Sequence, residues 1–68
     1  MSEAKEAYIR TLNDLLKNEK EAEERAVALS KVVLPASERT RYQAAAKAHA
    51  AQGESYKLLI QVVLDTLP

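Results

Sequence analysis

Residues 34–38 read Leu34-Pro35-Ala36-Ser37-Glu38, and this short stretch divides the chain in two. Between Glu3 and Leu34 there is neither glycine nor proline, and after Pro35 only Gly53 interrupts a run of good helix formers that reaches Pro68. A proline drives the residue before it out of the helical region. The expectation is a helix over about 3–34, a turn at 35–37, and a second helix over about 38–67 with Ser37 as its N-cap. A short connection makes neighbouring helices antiparallel. The fold class is therefore all-α, a single domain (1–68) built as an antiparallel helical hairpin. Gly53 weakens the second helix by ~1 kcal/mol relative to alanine, but the apolar spacing carries through it. A break at Gln52-Gly53, or within the charged Lys17–Arg25 segment, would give three helices instead.

Local signals support the first helix. Ser2 is placed to cap it, with Glu3 and Glu6 in the first turn where carboxylates favour the helix dipole. Glu6–Arg10 and Glu21–Arg25 stand at i,i+4 in the better orientation. Two heptad patterns then define a seam. In the first helix Tyr8, Leu12, Leu15, Glu19, Ala22, Ala26, Leu29 and Val33 alternate spacings of four and three; in the second, Tyr42, Ala46, His49, Gly53, Tyr56, Ile60, Val63 and Leu67 do the same. Folding about residue 36 brings Leu12 to Ile60, Leu15 to Tyr56, Glu19 to Gly53 and Ala26 to Ala46.

Composition removes most function classes. Sixty-eight residues make one small domain, at the size where apolar burial barely offsets chain entropy. Without cysteine there is no disulfide framework, thiolate zinc site or cysteine nucleophile. Ten basic and ten acidic residues balance to zero, which argues against a general nucleic-acid binder. The single histidine and the lack of a glycine-rich loop leave no catalytic constellation, so the chain reads as non-enzymatic, with no cofactor and no metal. No apolar run is long enough for a signal peptide or a membrane span, and a soluble, cytoplasmic protein is expected. His49 lies on the seam face opposite Glu19–Glu23 and reads as a half-buried histidine satisfied by a carboxylate or water. Lys17–Arg25 reads as a solvated face.

Apolar surface is left over once this seam is filled. Ile9, Leu16, Val27 and Leu34 line up about a quarter turn from it, while Leu58 and Val62 lie on one flank of the second helix and Leu64 on the other. A two-helix hairpin buries one stripe per helix, so a second stripe implies another protein surface. Ile9, Leu16, Leu58 and Val62 are the expected partner contacts.

The second half carries a recognisable pattern: Leu34-Pro35, then Arg41-Tyr42-Gln43-Ala44-Ala45, then Ala50-Ala51, and finally Lys57-Leu58-Leu59-Ile60. Over about residues 33–64 it resembles the YscE/SsaE/EscE group of small type III secretion needle co-chaperones. The resemblance implies a helical hairpin in the bacterial cytoplasm. Such a hairpin binds a larger, tetratricopeptide-like helical chaperone, and the two together hold the needle subunit soluble before export. Two other readings stay open. One is a dimeric helical-bundle regulator that binds nucleic acid through Arg39, Arg41 and Lys47 beside Tyr42; the other is a self-associating structural homodimer.

Overall fold

A computed structural model, which describes residues 2–32 and 35–66, forms an antiparallel hairpin of two helices, α1 (Glu3–Ser30) and α2 (Ala36–Thr66). The rod measures 51 × 15 × 10 Å. Among the described residues there is no strand and no left-handed backbone.

The start of α1 follows the sequence signals. Ser2 is extended (φ −71°, ψ 152°), its hydroxyl accepts the Lys5 backbone N–H at 3.2 Å, and its carbonyl accepts that of Glu6 at 3.0 Å. Replacing Ser2 by alanine should therefore cost about 1 kcal/mol and fray the first turn. Amide exchange at Lys5 and Glu6 checks this, and unchanged protection there would contradict it. The expected Glu6–Arg10 and Glu21–Arg25 bridges do not form; a surface pair that does close is Glu54–Lys57, at 2.9 Å. An exposed pair gains a few tenths of a kcal/mol, about what holding two long side chains still costs.

Both turn boundaries differ from expectation. Helix α1 ends at Ser30, not Leu34, because Lys31 and Val32 turn their N–H groups onto the carbonyls of Ala28 and Leu29, three residues back, and this tightens the last turn. Val33 and Leu34 lie outside the described residues. Helix α2 begins at Ala36, two residues early. The Pro35 carbonyl accepts the N–H groups of Glu38 and Arg39, each at 3.0 Å, so Ser37 sits inside the first turn and is not the cap. Proline suits this boundary, where its missing N–H has no partner to lose. The longer link follows from geometry, since packed helix axes stand about 8–10 Å apart and three residues leave little slack to cross that gap. From Ala36, α2 runs unbroken through Gly53 to Thr66, as the spacing predicts.

The seam follows the expected face on α2. Gly53 and Val63 are buried, and Tyr42, Ala46, His49, Tyr56 and Ile60 are half-buried. On α1 the seam is rotated by one residue. Leu12 and Ala26 are buried as expected, and Ala22 is half-buried at the edge. The alternate positions, however, are Ile9, Leu16, Glu23 and Ser30, while Tyr8, Leu15 and Leu29 remain 49 %, 37 % and 43 % exposed. Both stripes share Leu12, Glu19 and Ala26, so the choice between them falls to α2. Its small residues open a hollow for a knob from α1: Leu16 Cδ1 lies 3.5 Å from where a Cβ on Gly53 would stand.

The register is also shifted. Lys5 Nζ donates to the Leu64 carbonyl at 3.3 Å, Leu16 meets Gly53, and Glu19 bonds His49. These pairs total 69, 69 and 68 in residue number, against 72 for the expected Leu12–Ile60 and Glu19–Gly53 pairings. The earlier end of α1 moves the pivot back and takes the pairing with it.

Candidate partner-binding surface

The hairpin has two unlike sides. Each seam position has a neighbour one residue ahead of it and another behind, and in an antiparallel pair these flanks gather on opposite sides of the rod. One side holds a shallow groove of about 280 Å³ floored by Leu16, Ala50 and Gly53 and rimmed by Lys20, Glu54 and Lys57. Small residues on α2 create the groove and long charged side chains close its edges.

The opposite side is apolar. On α1 it carries Tyr8, Leu15, Ala22 and Leu29, seven residues apart, with Val32 at the turn end. On α2 it carries Ala45, Leu59 and Val62; Leu58 stands on the outer surface beside it, 69 % exposed. The observed register sets Tyr8 across from Leu59 and Ala22 across from Ala45. Bulky side chains thus gather at the open end and alanines in the middle. Among the described residues, only Arg25, Glu38 and Arg41 bring charge to this side, all nearer the turn.

The expected contact set is therefore divided. Leu58 and Val62 are exposed, but Ile9 and Leu16 are half-buried in the seam and hold the hairpin together. Tyr8, Leu15 and Leu29, expected in the seam, take their place on the surface. Val27 is half-buried on the groove side, and Leu34 lies outside the described residues. Leu59 was not singled out by periodicity, although it stands fourteen residues beyond Ala45 on the same stripe; Gln52 between them interrupts the apolar signal.

His49 and Glu19 bond side chain to side chain across the seam, with the imidazole Nδ1 2.6 Å from Glu19 Oε2. This is the carboxylate-satisfied histidine that the sequence suggests. The pair is a polar layer in the seam, of the kind that favours one register at some cost in stability. No buried side-chain nitrogen or oxygen among the described residues lacks a partner, and no three potential metal ligands cluster.

The basic residues do not form one patch. Arg41 lines a shallow hollow with Glu38, Tyr42 and Ala45, whereas Lys47 falls six residues on, about 240° around the helix. No described helix is long and apolar enough to cross a membrane. Comparison with family models, curated proteins and solved structures finds no match for the chain.

Proposed function

We propose that the chain is a non-enzymatic adaptor of a bacterial type III secretion system. In this reading it is a cytoplasmic co-chaperone that binds a larger tetratricopeptide-like chaperone, and the pair keeps the needle subunit soluble before export. The observation that carries the reading is the apolar side of the rod, where Tyr8, Leu15, Leu59 and Val62 are exposed together with no charge among them. The resemblance over residues 33–64 supplies the class of partner. A tetratricopeptide array offers a concave groove built from stacked helices, and helix-in-groove recognition uses anchors spaced as these are. A partner held at a hundred times its dissociation constant would add about 2.7 kcal/mol to a hairpin of marginal stability.

The contact set is Tyr8, Leu15, Leu58, Leu59 and Val62. Co-expression with the needle subunit and tetratricopeptide-like protein encoded by neighbouring reading frames tests the reading directly. Affinity capture through the chaperone should recover all three chains. Leu15→Asp or Val62→Asp should weaken capture by roughly ten- to a hundredfold, as expected when about 1.5–3 kcal/mol of apolar burial is lost. Lys57→Ala on the groove side should leave capture unchanged. Capture that survives both aspartate substitutions, or wild-type chain that captures neither protein, overturns the reading.

A further inference from the structure

The hairpin carries more surface than its mass requires. A folded monomer of 7.5 kDa exposes about 4,250 Å² at ordinary compactness, and this rod exposes 5064 Å². The excess is about 800 Å², close to what each partner contributes to a standard-size protein interface. The charges, however, are not spread evenly and leave one side almost bare. Charged groups on the groove side include Glu6, Arg10, Lys17, Lys20, Glu54 and Lys57. On the apolar side none lies between Tyr8 and Asn18 on α1 or, on α2, between Ala45 and Val62.

We infer that, in the chain on its own, a second copy covers the apolar side, giving an antiparallel four-helix bundle about a two-fold axis. A chaperone bound as proposed above would displace that copy, because both use the same face. This inference does not rest on the secretion reading. Three observations select a second copy as the occupant. The net charge is zero, so two copies meet without overall repulsion. The stripe is large at both ends (Tyr8, Leu59 and Val62 at one, Leu29 and Val32 at the other) and small in the middle (Ala22, Ala45, Ala48). With the axis at the alanines, the open end of one copy lies over the turn end of the other, and the middle permits close approach. An isologous contact of this kind requires only that the patch complement itself. The area also matches, since each copy has about one standard half-interface in excess.

Sedimentation equilibrium of the purified full chain should report about 15 kDa at tens of micromolar, with a melting temperature that rises with concentration. Leu15→Asp with Leu59→Asp should shift the mass to that of one chain, or abolish the fold if the monomer is too weak to stand alone. Ala44→Asp, on the outer surface of α2, should leave the dimer intact. The face can be mapped without destabilising substitutions because the native chain has no cysteine. A nitroxide at Asn18→Cys, on the apolar side near the axis, should give a shorter interchain distance than one at Glu21→Cys, by roughly a helix diameter of 10 Å. A wild-type chain that remains at 7.5 kDa up to millimolar concentration overturns the inference, even if it captures a secretion chaperone. Dimers in which the Glu21 label is the closer one overturn the assigned face. A dimeric chain that captures no secretion partner supports the inference and removes only the adaptor reading.

Discussion

Leu12→Ala should destabilise the hairpin by about 3 kcal/mol, within the range for removing a buried leucine side chain, and leave much of the purified chain unfolded at room temperature. Leu12 is 4 % exposed, and only Ala26, Gly53 and Val63 join it as buried among the described residues. So few buried positions mean that each carries a large share of a stability that small domains hold in single kcal/mol. Leu12 also belongs to both candidate stripes of α1, so no rotation of the helix can substitute another leucine for it. The informative comparison is with its neighbours. Leu16→Ala should cost more than Leu15→Ala, because Leu16 fills the hollow at Gly53 while Leu15 stands 37 % exposed. Urea unfolding followed by circular dichroism measures all three. The comparison is made at a concentration where the wild-type chain is monomeric, or with the apolar side blocked by Leu59→Asp. A greater loss at Leu15 than at Leu16 would restore the seam suggested by periodicity and reject the observed one.

Gly53 should respond in opposite directions to two substitutions. Gly53→Ala should raise stability by about 1 kcal/mol, the helix-propensity gain of alanine over glycine, which for a chain of this size lifts the melting temperature by roughly 4–8 °C. Glycine is not needed there for its backbone freedom, since it lies in regular helix and no glycine has a positive φ. A Cβ would meet Leu16 Cδ1 at 3.5 Å, an ordinary contact. Gly53→Leu should instead cost about 1–3 kcal/mol, as overpacking does, because its branch would occupy the space that Leu16 fills. The same change would part the helices near the Glu19–His49 bond, only four residues away on α2. Thermal melts of both variants decide the matter. If alanine destabilises as strongly as leucine, the helices approach more closely at Gly53 than the 3.5 Å contact allows.

Glycine 53 also shows where reading a sequence succeeds. Its place inside α2 was legible because Tyr42, His49, Tyr56 and Val63 keep the same spacing on either side of it, and periodicity is a property of one helix. The hairpin itself, the Ser2 cap and the apolar face of α2 were legible for the same reason: each depends on residues close together in the chain. The His49–Glu19 bond could be anticipated because the seam face of α2 had been placed correctly, although its partner register had not.

The end of α1 was less legible. The proline rule limits only Leu34, whereas closure onto Ala28 and Leu29 depends on how far the link must travel to reach α2. The candidate contact surface suffered most. Ile9 and Leu16 were placed outside and Tyr8, Leu15 and Leu29 inside because that stripe is the more apolar one. Hydrophobic content ranks the stripes but does not say which one fits.

By itself the sequence determined two helices, their antiparallel order, the inward face of α2 and the presence of apolar surface beyond what one seam can bury. Only the tertiary structure decided which stripe of α1 turns inward, at what register, and therefore which side of the rod is left apolar and exposed. The physical reason is that α1 offers two stripes sharing Leu12, Glu19 and Ala26, about 100° of helix rotation apart at their alternate positions. The choice rests on whether Leu16 enters the hollow at Gly53 and Glu19 reaches His49. Those contacts join residues 30 and more apart in the chain, and no pattern within a single helix contains them.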